Sequence, residues 1–344
     1  MIGCIQNIMN KKEHILICAN HGGFGGSFNL NIAINKYSEL YYSDLVVRKQ
    51  SPYSFGDGIS IRRHFTEVDE LFNKVSKIFI VDYQGLATIA AYLSRKFGKK
   101  ISHGFNDKKS MDFIFGWLKS KSVIFFWTGS RYRKNYKVVN RWVQELGCKR
   151  TFAMLDLLRL DLKAFPLYQT FDFSPVKNNY YDFPLKICHS PGLKYKGKFG
   201  FAKGKGSHVI EKVFEDLKKK INIDYEILKG ISFLEAIEIK KRSHLFVDQF
   251  MPDVGGMGKS ALEAIMLGIP TLGNIHYCQF IKPYEDCPVI NFSTDEELYN
   301  TIYDLYLHRE KLEDLHKKCS SWGRILNYQN TVEYLDRTIK WAVL

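Results

Sequence analysis

Between His244 and Asn274 the chain gathers residue types that can hold a phosphate and a sugar side by side. Gly255, Gly256 and Gly258 allow a tight turn and a close approach of backbone to a ligand. Lys259 adds a cation, Ser260 a hydroxyl, and Glu263 a carboxylate one turn into a stretch of helical composition. Backbone N–H groups at a helix N-terminus have no partners in the helix and attract an anion. A carboxylate one turn further in reaches a sugar hydroxyl beside that anion. Taken alone, an ordinary βαβ unit with a surface Glu accounts for the turn equally well. Gly258-Lys259-Ser260 matches the end of a P-loop, but the position of the motif's first glycine is Asp253. An acidic side chain there repels phosphate, which argues against an NTP-hydrolysing site.

Three further groups bear chemistry. After His189 runs a loop rich in glycine and lysine that includes Lys196, Lys203 and Lys205. Thr128 to Lys137 interleaves Arg131, Arg133, Lys134 and Lys137 with Tyr132 and Tyr136. Cations for phosphates and rings for stacking suit a nucleic-acid or phospholipid acceptor, and a solvated basic turn fits as well. His21, in the glycine loop Asn20 to Ser27, reads as a base or as a turn residue, and His103 stands at a strand end. Gly23, Gly25 and Gly26 match a dinucleotide fingerprint only in part, with the third glycine too early.

The elements that must position these residues alternate strand and helix. Apolar runs at 14–19, 44–48, 77–82, 99–104, 122–127 and 150–154 read as strands. Helical stretches fall at 29–36, 67–76, 86–97, 138–146 and 155–162, and 128–137 reads as loop. The stretch 168–179, polar and containing Pro175, breaks the alternation, which sets a domain boundary near 175–184, and the alternation restarts with a strand at 185–189. Strands at 225–228, 244–250 and 290–292 alternate with helices at 208–219, 233–242, 260–267 and 295–306, and further helices cover 312–320 and 331–341. Such alternation builds parallel sheets whose ligands sit at the carboxyl ends of the strands.

The 344 residues suffice for two domains. Of the net charge of +14, residues 1–180 carry +13, with 27 Lys/Arg against 14 Asp/Glu. That half attracts polyanions: an anionic membrane surface, a phosphorylated substrate or nucleic acid. A lysine-rich solvated surface is the plainer alternative. No apolar run is long enough to span a membrane. Seven scattered Cys without a Cys-x-x-Cys pair favour reduced thiols over disulfides or zinc. The expected location is the cytoplasm, with peripheral attachment to the inner membrane face as an option.

Gly256-Met-Gly258 followed by Glu263-Ala-Ile-Met-Leu-Gly-Ile-Pro270 resembles the donor-site signature of GT-B glycosyltransferases of the glycosyltransferase 4 (group 1) type. His189-Ser-Pro-Gly and the later Lys205-Gly-Ser207 are similar to the segment that opens the donor domain of that family. The resemblance covers roughly residues 185–275 and implies two Rossmann-like α/β domains facing a central cleft. It gives an acceptor domain at 1–183, a nucleotide-sugar domain at 184–325, and a C-terminal helix at 326–344 packing back towards the first. It implies Glu263 on the ribose and Lys205, or Lys203 or Lys196, on the donor pyrophosphate, with His189, Gly256, Gly258, Lys259 and Ser260 around them. The first Glu of the signature falls on Gly255; Asp253 or Asp248 could stand in for it. His103 and His21 are the catalytic candidates, and Arg131, Tyr132, Arg133 and Lys134 the acceptor candidates. The implied reaction is metal-independent, retaining transfer from a UDP-type sugar to a hydroxyl, with no further cofactor. A lipid-linked or cell-surface glycan leads as acceptor, DNA with hydroxymethylated bases is the alternative, and a non-catalytic binding module is the reading from another class.

Overall fold

The computed structural model describes residues 12–19, 26–48, 58–102, 107–128, 130–148, 150–160, 163–167, 171–191, 205–251, 255–276 and 284–343. The chain divides into two compact units, residues 1–170 with 328–344, and residues 171–327.

Unit 1 follows the chain as β1 Glu13–Ala19, α1 Gly26–Tyr37, β2 Tyr41–Val47, β3 Ile59–Ser60, α2 Phe65–Lys74, β4 Lys77–Val81, α3 Asp82–Phe97, α4 Lys108–Leu118, β5 Ser122–Trp127, α5 Ser130–Glu145, β6 Arg150–Ala153 and β7 Phe165–Pro166. The strands form one parallel sheet in the order β3-β2-β1-β4-β5-β6-β7. β1 is covered on both faces, so Ile15, Leu16, Ile17 and Cys18 are all fully buried, as a central parallel strand requires. α3 lies close on β1 because Gly85 has no side chain; a Cβ there would be 2.5 Å from the Cys18 carbonyl oxygen. Thr88 donates to the Ala19 carbonyl at 2.6 Å and fixes the same contact.

Three expectations for this unit change. Residues 99–102 are not a strand, and β4 pairs directly with β5. The basic stretch expected as a loop is the first half of α5, which kinks at Asn135. Helix α4 lies where no element was expected: its Gly116 and Asp112 blur the pattern, although Met111, Ile114, Phe115 and Leu118 keep helical spacing and are buried.

Unit 2 runs β8 Leu185–His189, α6 Ser207–Lys218, β9 Ile223–Ile227, α7 Phe233–Lys241, β10 Leu245–Val247, α8 Lys259–Met266, β11 Thr271–Gly273, β12 Ile290–Asn291, α9 Asp295–Leu307 and α10 Arg309–Gly323. Its parallel sheet has the order β12-β11-β10-β8-β9. The winding therefore reverses between β8 and β10, where His189 pairs with Val247. That switch point is where open α/β sheets bind ligands. The unit begins at Phe171, before the strand-free stretch ends: Val176 N–H donates to Leu267 O, Asn178 to Ser243 O, and Tyr180 is buried in this core.

The last helix, α11 Tyr328–Val343, belongs to unit 1. Leu335 and Ile339 enter its core beside Leu30 and Ile34, and Ser38 donates to Asp336 at 2.8 Å.

Candidate functional site

Two backbone turns at the switch point of unit 2 build the site. The first leaves β8. His189 is fully buried, and its Nδ1 lies 2.8 Å from the Val247 carbonyl, which can only accept. The Nδ1 therefore carries the proton, and Nε2 accepts from the Ser207 hydroxyl at 2.8 Å. Burial pushes its pKa down to about 4, so the ring is neutral near pH 7. Both nitrogens are in use, so His189 ties β8, β10 and the start of α6 together and presents nothing to a ligand.

Before α6 the chain passes through left-handed geometry twice, at Lys205 (φ 61°) and Gly206 (φ 62°). A Cβ on Gly206 would be 2.4 Å from the Phe250 carbonyl oxygen. Phe250 N–H donates to Lys205 O at 2.8 Å, which locks this turn to the chain leaving β10. Lys205 Nζ then reaches Asp248 Oδ1 at 3.1 Å.

Asp248 joins this turn to the second one. Its Oδ2 accepts from Gly258 N–H at 2.8 Å, and its side chain is 2% exposed. Gly258 caps α8, and a Cβ there would lie 2.7 Å from both Asp248 oxygens. Asp248 is thus committed between Lys205 and Gly258 and does not stand in for the Glu missing at Gly255. Gly255 takes φ 54°, and the Gly256 carbonyl accepts from Gln249 Nε2.

Behind the second turn lies a buried cluster of charge. Glu263, 4% exposed, has Lys240 Nζ at 2.5 Å from Oε2 and Lys259 Nζ at 3.7 Å from Oε1. Lys240 is 1% exposed, donates also to Ser260 O at 3.3 Å, and lies 5.1 Å from the Phe246 ring centroid. Lys259 Nζ lies 5.5 Å from the ring centroids of both Phe171 and Phe233. Two cations against one carboxylate leave the cluster with a formal charge of +1. Burial outweighs the attraction of Glu263 and, with repulsion from Lys240, brings the Lys259 pKa down to about 8. The Lys259 amine is therefore a cation that titrates just above neutrality.

Seven of the residues singled out in the sequence lie on the end of β8, these two turns and α8: His189, Lys205, Gly256, Gly258, Lys259, Ser260 and Glu263. His21, His103, Lys196, Lys203 and Asp253 lie outside the described residues. Arg131, Arg133 and Lys134 belong to α5, and the structure describes their backbone only. Tyr132 is corrected: it is fully buried, stacked on Trp127 at 4.9 Å, and its hydroxyl donates to Asn140 Oδ1 at 2.8 Å. A ring enclosed in this way cannot stack on an acceptor. Lys240 was missed, although its signal is in the sequence. It falls three residues after Ile237 and seven after Phe233, on the inward stripe of α7, where a lysine has to meet a carboxylate. Among the described residues no group of three or more His, Cys, Asp or Glu could hold a metal ion. No helix among them is long and apolar enough to cross a membrane.

No protein-family model matches the sequence, and no curated protein matches it either. Solved structures do match over 95–97% of its length. An alpha-glucosyltransferase in complex with UDP-glucose and DNA containing an abasic site superposes with a TM-score of 0.60 at 13% identity, over 97% of this chain and 99% of that one. Anabaena HepE in complex with UDP-glucose gives 0.58 at 8% identity, over 95% and 99% of the two chains. A glycosyltransferase from Rickettsia africae gives 0.53 at 11% identity, over 97% and 99%. With two parallel α/β units, a switch-point site in the second and a last helix returned to the first, the chain has the GT-B fold of these glycosyltransferases.

Proposed function

We propose that the chain is a glycosyltransferase that holds a nucleotide sugar, of UDP type, in unit 2 and transfers the sugar to a hydroxyl. The observation that carries this reading is the pair of turns tied together by Asp248, which brings Lys205 and the α8 N-terminus to one switch point beside Lys259. As the nucleoside diphosphate leaves, negative charge grows on its phosphates. In this reading Lys205, Lys259 and the first N–H groups of α8 stabilise that charge. Exchange of Lys205 from Asp248 to the diphosphate would couple donor binding to both turns. Glu263, held by Lys240, is the ribose partner in this reading, and Gly256 lets the backbone approach the donor. Two structural neighbours in complex with UDP-glucose support the choice of donor.

Unit 1 takes the acceptor, with retaining stereochemistry and without a metal. His21 and His103 are the candidates to orient the acceptor hydroxyl, and Arg131, Arg133 and Lys134 to hold an anionic group. The acceptor we propose is a lipid-linked glycan at the cytoplasmic face of a membrane. DNA is the second reading, favoured by the charge of +13 over residues 1–180 and by a neighbour solved with DNA.

The test is a panel of UDP-, GDP- and CMP-sugars incubated with the protein, with nucleoside diphosphate or monophosphate release measured. Slow release from a UDP-sugar is expected, reduced at least tenfold in Lys205→Ala, in line with loss of one oxyanion-type contact. Absence of both turnover and binding with every donor would sink the transferase reading and leave a non-catalytic module.

A further inference from the structure

Away from the donor site, unit 1 exposes a pair of aromatic rings among lysines. Phe97, at the end of α3, is 46% exposed, and Phe113, on α4, is 38% exposed. They touch edge to face at 5.5 Å, so the two helices present one apolar ridge. The ridge continues along α4. Gly116 has nothing within 4 Å of where a Cβ would stand, and half-buried Trp117 lies one turn beyond Phe113, with Lys121 Nζ 6.0 Å from its ring centroid. Lys99, Lys100, Lys109 and Lys119 stand exposed on the same two helix ends and the α4 surface.

Residues 95–121 hold eight Lys/Arg against two Asp/Glu, a net +6. The acids of the neighbourhood are engaged locally. Asp107 caps Ser110 N–H at 3.1 Å, Asp112 pairs with Lys108 at 3.0 Å, and Asp69 of α2 pairs with Lys96 at 2.7 Å.

We propose that this face docks on an anionic lipid bilayer, with Phe97 and Phe113 entering the headgroup region and the lysines resting on lipid phosphates. Rings at the interface and lysines on anionic headgroups are the two contributions that hold a peripheral protein without a spanning helix. Duplex DNA would use the lysines equally, but it offers the two protruding rings no apolar layer to enter. The proposal deepens the lipid-linked acceptor reading, yet it stands on the patch alone and makes no use of the donor site.

The test is flotation of the full chain with vesicles of phosphatidylcholine alone and of phosphatidylcholine with phosphatidylglycerol. Binding is expected on the anionic vesicles only. It should fall about fivefold for each lysine removed in Lys99→Ser and Lys100→Ser. Phe97→Ser with Phe113→Ser should weaken it at least as much, although the charge is unchanged. Donor turnover and the melting curve should match wild type in both variants, which separates this idea from the transferase reading. No binding to anionic vesicles, equal binding to neutral ones, or aromatic and lysine variants that bind like wild type would overturn it. So would a duplex DNA affinity that exceeds the vesicle affinity and falls with the same lysines.

Discussion

Glu263→Gln is expected to lower the stability of unit 2 by about 3–5 kcal/mol, the cost of leaving a buried charge without its partner. Lys240 is 1% exposed, and its amine is held by Glu263, with the Ser260 carbonyl and the Phe246 ring beside it. Glutamine keeps the shape and removes the charge, so the loss reads the ion pair rather than a cavity. Lys240→Met should destabilise as well, and for the mirror reason, although Lys259 at 3.7 Å then offsets part of the charge on Glu263. The double variant Lys240→Met with Glu263→Gln should recover most of the loss, because neither charge is stranded. Urea midpoints of the four proteins measure this cycle. Additive losses would show that the pair does not act as a unit. The same double variant should still fail to hold a donor, since the stability is restored and the ribose partner is not.

Gly206→Ala is the second large effect. The left-handed backbone costs a residue with a Cβ roughly 1–2 kcal/mol. At Gly206 the new Cβ also meets the Phe250 carbonyl oxygen at 2.4 Å, and backbone cannot turn aside as a side chain does. Gly98 provides the control: its φ of 61° is nearly the same, and nothing lies within 4 Å of its Cβ position. Gly98→Ala should therefore show only the conformational cost, and Gly206→Ala clearly more. A shift of the Lys205 turn away from Phe250 would also break the 3.1 Å contact with Asp248, so donor affinity should fall in Gly206→Ala and not in Gly98→Ala. Thermal melts and donor titrations of the two variants separate the outcomes. Equal destabilisation would mean that the turn yields without strain.

Much of this architecture is legible in the sequence, for identifiable reasons. Buried parallel strands such as Ile-Phe-Ile-Val at 78–81 need apolar residues on both faces and stand out as unbroken runs. The glycine turn before Lys259 was legible because only glycine tolerates the Asp248 carboxylate 2.7 Å from its Cβ position at Gly258. What the sequence hid was long-range. Nothing local shows that Asp248 faces Lys205, 43 residues earlier, or that Lys240 meets Glu263 across two helices. Lys-rich composition concealed Lys240 among lysines that are merely solvated. His189 illustrates the opposite case: the resemblance sets it around the donor, and its two nitrogens are consumed inside the fold. Tyr132 was misplaced because alternating cations and rings read as a loop, whereas helical spacing turns that one ring inward onto Trp127.

Lys259 offers the most direct test of the central claim, that unit 2 holds a nucleoside diphosphate sugar on a cationic turn. Its pKa of about 8 makes the site's charge depend on pH in an accessible range. Below that value the amine is protonated and attracts the diphosphate; above it the attraction is lost. For stability the sign is opposite: a depressed lysine pKa means that burying the cation costs stability at low pH, a cost relieved between about 8 and the ordinary 10.5. Donor affinity and stability should therefore move in opposite directions as pH rises. The decisive measurement is a calorimetric titration of UDP-glucose into wild type and Lys259→Met between about pH 7 and about pH 9. The account predicts wild-type binding that weakens as pH passes about 8, and weaker, nearly pH-independent binding in Lys259→Met. Wild-type binding that is unaffected by pH and by the substitution, or no binding of UDP-glucose at any pH, would contradict it.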